Sequence, residues 1–208
     1  IMDSVLLKKL LFDGQVIPAH PLALTPERKF DEKYQRALTR YYLDCGVGGL
    51  AVGVHTTQFE IREPQFGLYE PVLSMAVEEI SAFEQKNNKK LLKIAGVVGR
   101  TQQAIQEAEL AKSLGYDIAL LSLAAFKDSS NDEIIEHCLQ VSKDVPIMGF
   151  YLQPSVGGRV LEYDFWRRFC EIENVVGIKI APFNRYYSLD VIRSVVEASR
   201  SKDIALYT

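Results

Sequence analysis

Lys179 is the one charged residue in the run Val175–Ala181, which is otherwise apolar and of strand type. A lysine rarely occupies such a place unless it is paired or used. Desolvation disfavours the ammonium and leaves some free amine, a nucleophile toward a carbonyl carbon. The alternative is a lysine at a strand end whose stem lies along apolar surface and whose ammonium reaches water. Tyr151 closes a second apolar stretch, 147–151. On a neighbouring strand, about 4.8 Å away, its hydroxyl would share a proton with Lys179 through a substrate or a water. Carbinolamine formation and dehydration need such a relay. Otherwise Tyr151 is a half-buried aromatic with a satisfied hydroxyl.

Thr56 and Thr57 offer two hydroxyls and consecutive N–H groups suited to a small carboxylate, although threonine is frequent in any strand or loop. His55 precedes them, and with His20 it could face a barrel mouth and hold a metal. No HxH or HExxH spacing supports that reading. Arg100 and Thr101 precede a helix and read either as an anion site or as plain capping, and His137 in mid-helix reads as structural.

These side chains need a scaffold, and the hydrophobic pattern supplies one. Strand-type runs fall at 16–24, 49–54, 91–97, 118–123, 147–151, 175–180 and 204–207. Helical spacing fills 31–43, 68–86, 101–114, 131–142, 163–172 and 189–199 between them. Alternation of this kind predicts an α/β protein with a parallel sheet. A (β/α)8 TIM barrel is favoured over a doubly wound sheet, because the first strand-to-helix turn, 24–28, has no glycine-rich fingerprint. In a barrel the chemistry sits at the C-terminal strand ends, where His55, Thr56, Thr57, Tyr151 and Lys179 fall. The chain stops within the seventh strand, whereas such a barrel takes about 250 residues. The expectation is a single truncated barrel domain, 1–208, with a short helix at about 2–13 and its C-terminal βα units missing.

Composition narrows the function classes. The 208 residues are 48% hydrophobic and 25% charged with a net charge of -3, as in a soluble globular protein. No basic block suggests nucleic acid, so an anionic substrate needs a local positive site. No stretch approaches the roughly 18 apolar residues of a membrane span. Cys45, Cys138 and Cys170 are widely spaced without a CxxC pair, which points to a reducing cytoplasm rather than a disulfide framework or a cysteine zinc site.

The sequence Phe150-Tyr151-Leu152-Gln153-Pro154, then Gly177-Ile178-Lys179 one helix later, with a Thr-Thr turn after the second strand, resembles the dihydrodipicolinate synthase and N-acetylneuraminate lyase family. The opening Val16-Ile17-Pro18-Ala19 and the Leu24-Thr25-Pro26 turn extend the resemblance over nearly the whole chain. It implies a homotetrameric class I aldolase or lyase on a (β/α)8 barrel that needs no cofactor. Lys179 would form a Schiff base with pyruvate or another 2-oxo acid for C–C cleavage, condensation or dehydration. Tyr151 would relay protons, and Thr56 and Thr57 would hold the carboxylate.

The departures are specific. The family's Gly-Thr-Thr-Gly-Glu reads His55-Thr56-Thr57-Gln58-Phe59 here, which brings His55 toward the pocket. Val156 stands where the synthases carry arginine, with Arg159 three residues later, and 123–127 lacks the second relay tyrosine. These changes speak against the strict synthase reaction and leave the second substrate open. A metal-dependent barrel enzyme and a non-catalytic 2-oxo-acid-binding member are the competing readings.

Overall fold

The computed structural model describes residues 2–208, which fall into two units, one running to Gly96 with Leu110–Ile118 added and one of Val97–Glu109 with Ala119–Thr208. In the first, Asp3 accepts hydrogen bonds from the N–H groups of Val5 and Leu6 and opens α1 (Ser4–Phe12), as a short acidic N-cap should. Asp31 does the same through Tyr34 N–H for α2 (Glu32–Asp44). Strand β1 (Gly49–Val52) is buried throughout, α3 (Tyr69–Asn87) follows with Pro71 in its first turn, and β2 (Leu92–Val97) is again wholly buried. The two strands pair in parallel, Gly49 with Leu92 through Val52 with Ala95. Burial of both faces is what a parallel strand between helices requires. Leu43, Leu50, Val52, Leu73, Ile80 and Tyr116 form this unit's core.

The strand expected at 16–24 does not form as a regular element. It survives as one parallel bridge, Ala19 to Ala51, with His20 N–H donating to Ala51 O at 2.9 Å and Ala51 N–H to Pro18 O at 3.1 Å. Pro18 has no N–H to continue the ladder toward β1. Lys93, within β2, is buried but paired: its Nζ lies 3.4 Å from Glu84 and 3.8 Å from Asp117.

In the second unit, the strands β3 (Ile118–Leu121), β4 (Ile147–Leu152), β5 (Val175–Ala181) and β6 (Ala205–Tyr207) pair in parallel in that order. Ile118 itself groups with the first unit. The helices are α4 (Thr101–Leu114), whose first part belongs here, α5 (Asn131–Ser142), α6 (Tyr163–Phe169) and α7 (Arg185–Glu197). Ser130 and Glu133 close a capping box at the start of α5. Asn184 caps α7, so that helix begins ahead of the expected residue 189. Phe165, Trp166 and Phe169 pack with Ile178, Ile180 and Val191 in a separate core.

One irregularity decides which side chains share a face. Ile147 pairs with Val175, but Met148 pairs with Gly177, so Val176 is bulged out of the β4–β5 ladder. From there Phe150 pairs with Lys179, and Tyr151 with Ile180.

Candidate functional site

Lys179 lies near the C-terminal end of β5 and is half-buried. Its Nζ sits 4.9 Å from the centre of the Phe150 ring, in the position of a cation–π contact. No hydrogen bond or ion pair ties it to another described residue. Burial alone lowers its pKa from the ordinary lysine value, since no carboxylate is there to restore the charged form. On its other side, β6 runs in step with β5 and pairs Lys179 with Tyr207.

Tyr151, expected beside the amine, is on the opposite face. Its side chain is fully buried, its ring packs 5.2 Å from Trp166 and 6.2 Å from Tyr187, and its hydroxyl accepts the N–H of Leu161 at 3.1 Å. The reason is the bulge at Val176. An unbroken ladder from Ile147–Val175 would bring Tyr151 opposite Lys179, and a one-residue slip moves every later side chain to the other face. Gly149 confirms the parity: a Cβ there would lie 2.9 Å from Phe169 and 3.1 Å from Trp166, on the helix side. Trp166 Nε1 donates to Leu161 O at 3.1 Å, so Tyr151 and Trp166 together fix both backbone groups of Leu161.

A small cleft opens at the ends of β3 and β4, lined by Ser122, Ala124, Phe150, Leu152, Gly158 and Arg159. Gly158 comes so close to the Leu152 carbonyl that a Cβ would lie 1.8 Å from its oxygen, so only glycine fits there. Arg159 does not present a free guanidinium, because its Nη1 donates to the carbonyls of Phe126 at 2.6 Å and Ser129 at 2.8 Å. Arg100 stacks over Phe126 at 4.7 Å and reaches Ser129 Oγ at 3.4 Å. Thr101 is engaged with a side chain: its hydroxyl is 3.0 Å from Nδ1 of the buried His137. The His137 ring packs 4.4 Å from Phe126. Burial, and secondarily the Arg100 charge, holds its pKa down at about 4.

In the first unit, the residues after β1 form a tight turn, His55–Thr57. His55 and Thr56 are exposed, and the Thr56 hydroxyl makes no hydrogen bond to a described residue. Thr57 is buried, and its hydroxyl is used on the backbone: it donates to His20 O at 2.6 Å and accepts from Gly53 N–H at 3.1 Å. The His55 ring stands edge-on to Phe59 at 5.5 Å. Gln58 takes φ 76° and ψ 122°, a region suited to glycine. The turn therefore holds a residue other than glycine in a glycine-like backbone.

Two residues below this turn were not singled out from sequence. Arg62 Nη2 donates to the carbonyls of Gly53 and Gly96, 2.8 Å each, with its guanidinium 4.2 Å from the Tyr69 ring. The Tyr69 hydroxyl donates to the same Gly96 carbonyl at 2.7 Å. Nothing in the local pattern distinguishes either residue, since the carbonyls they hold are 9 to 34 positions away. The metal reading gains no support from His20. That ring is buried, with Nδ1 2.9 Å from Pro21 O and Nε2 2.7 Å from the Thr39 hydroxyl oxygen, and burial lowers its pKa. No helix among the described residues is long and apolar enough to cross a membrane.

Comparison with known proteins gives a consistent picture. The sequence profile described as the Dihydrodipicolinate synthetase family matches residues 13–203. A 4-hydroxy-tetrahydrodipicolinate synthase from Syntrophobacter fumaroxidans is 28% identical over 168 residues, 78% of this chain and 53% of that protein. The chain thus spans about half the length of the curated relatives it matches. Among solved structures, dihydrodipicolinate synthase from Oceanobacillus iheyensis superposes with a TM-score of 0.79 at 16% identity, over 98% of this chain and 63% of that one. YagE, a prophage protein of the dihydrodipicolinic acid synthase family from E. coli K12 in complex with pyruvate, gives a TM-score of 0.76 at 18% identity, over 91% and 62%. The fold is accordingly α/β and matches these barrel proteins over the part of them that this chain spans.

Proposed function

This chain belongs to the dihydrodipicolinate synthetase family, and from that premise we propose that it is a class I aldolase or lyase activating pyruvate or another 2-oxo acid as a Schiff base on Lys179. The observation that carries this reading is the state of that amine. It is half-buried, its pKa is lowered by burial, and no acid among the described residues pairs with it. Lys93, buried in β2 for structure, has Glu84 and Asp117 beside it instead. An amine kept partly neutral attacks the ketone carbon, and the protonated imine then accepts the electron pair released when a bond at the adjacent carbon breaks. The pyruvate bound by the E. coli relative supports a 2-oxo acid as the ligand.

Within the first unit, the His55–Thr57 turn, with the exposed Thr56 hydroxyl, consecutive backbone N–H groups and His55 beside them, suits a small carboxylate. The Thr57 hydroxyl shapes the turn rather than touching substrate, as its two backbone bonds suggest. Tyr151 has a structural place in this reading, its hydroxyl accepting the Leu161 N–H. Because Arg159 is tied to two carbonyls, the proposal does not extend to the strict synthase reaction. A reducing cytoplasm suits three free cysteines, two of them buried, and a homo-oligomer, a tetramer by family analogy, completes the reading.

The test is borohydride reduction of the full chain in the presence of pyruvate. A mass increase on the peptide carrying Lys179, absent in Lys179→Ala, is the expected result. The trapping rate rises with pH and levels off below the ordinary lysine pKa of about 10.4, because burial lowers the amine's pKa. Saturable pyruvate binding without any trapped adduct would make the protein a non-catalytic member. Chelator-sensitive turnover that survives Lys179→Ala would favour a metal enzyme.

A further inference from the structure

With Tyr151 turned away, the proton carrier for imine chemistry on Lys179 has to be another residue on its face. In the second unit that face is defined by register. Met148 and Phe150 on β4, Gly177 and Lys179 on β5, and Ala205 and Tyr207 on β6 lie side by side. The near-clash of a Cβ on Gly177 with Met148 Cε, at 2.8 Å, confirms that these positions point the same way. Most of these side chains have no exchangeable proton. Ser122 shares the face but follows β3, two strands from β5, or roughly 10 Å at 4.8 Å per strand. Tyr207 is the immediate neighbour, paired with Lys179 across an unbroken parallel ladder and half-buried.

We propose that Tyr207 is the catalytic hydroxyl that carries protons for imine formation on Lys179. The proposal rests on the Schiff-base reading and names the acid–base group for it. The Lys179 amine adds to the ketone carbon, and the carbon–oxygen π bond becomes an alkoxide, which takes the phenolic proton. The resulting phenolate removes a proton from the ammonium nitrogen, giving a neutral carbinolamine and restoring the phenol. The phenol then protonates the carbinolamine hydroxyl. That group leaves as water while the nitrogen lone pair forms the C=N bond, yielding the protonated imine and a phenolate ready to remove a C3 proton.

The experiment is the time course of borohydride trapping with pyruvate in the full chain, comparing wild type, Tyr207→Phe and Tyr151→Phe. Tyr207→Phe is expected to reach the wild-type extent of adduct on Lys179 at a rate lowered about 100-fold or more, the usual size of a lost acid–base group. Tyr151→Phe stays within about threefold of wild type wherever it remains folded, since its hydroxyl faces the helices. Replacing Tyr207 with a fluorinated tyrosine keeps the hydroxyl and lowers its pKa, so the basic limb of the pH–rate profile moves down with it. That readout also serves if Tyr207→Phe does not fold. Wild-type trapping on Lys179 with an unchanged rate in Tyr207→Phe, or an unmoved basic limb in the fluorinated protein, overturns the role of Tyr207 and leaves the Schiff-base reading standing. Absence of any wild-type adduct removes the Schiff-base reading and the relay with it.

Discussion

At the scale of single residues, the two lysines set in apolar strands show what burial means and what it does not. Lys93 and Lys179 both sit in apolar strands and look alike in sequence, yet one has two acids beside it and the other has an aromatic ring. Pairing was invisible because Glu84 and Asp117 reach Lys93 from other elements. Tyr151 makes the same point from the other direction. Its hydroxyl is the partner of a buried N–H, so Tyr151→Phe leaves that donor unsatisfied and should lower stability by about 1–3 kcal/mol in urea denaturation. An unchanged midpoint would mean the Leu161 bond contributes nothing. His137 yields a prediction in pH. Its folded pKa of about 4 lies below the unfolded value near 6.5. The unfolded chain therefore binds more protons between those values, and stability is lost as pH falls from about 6.5 to about 4. The loss is on the order of 3 kcal/mol at its fullest. Buried His20, shifted the same way, adds to it. Denaturation midpoints of wild type and His137→Gln should converge toward acid pH, and parallel curves would contradict this.

At the scale of elements, the alternation of strands and helices was legible because period and burial coincide: β1 and β2 are apolar throughout, and α2 and α5 begin at polar caps. The register was not. Val176 looks like any other strand valine, and its bulge follows from how β4 and β5 meet, which no local pattern records. Its effect was to exchange Tyr151 for Phe150 beside the amine. The first expected strand failed for a reason that could have been read, since Pro18 removes a donor from its ladder. Gly149 tests the packing that holds the β4 parity. A methyl group there meets Phe169 and Trp166 at 2.9 and 3.1 Å, inside the core. Gly149→Ala should destabilise by about 1–3 kcal/mol, measured as a drop in Tm. A neutral result would show that the aromatic cluster has room to move.

At the scale of the molecule, each unit has its own core, and Lys179 and Tyr207 both lie in the second. The fold class was accessible from alternation alone, whereas the roles of individual side chains needed register and burial. Trp166, described above for its packing, is the chain's single tryptophan and is fully buried in the second unit against Tyr151 and Phe165. Emission excited at the indole therefore reports on the unit that carries Lys179 and on nothing else in the chain. A variant that no longer traps pyruvate but keeps the short-wavelength emission of a buried indole has lost chemistry. One whose spectrum has shifted to the red has lost its fold, and the same sample distinguishes the two.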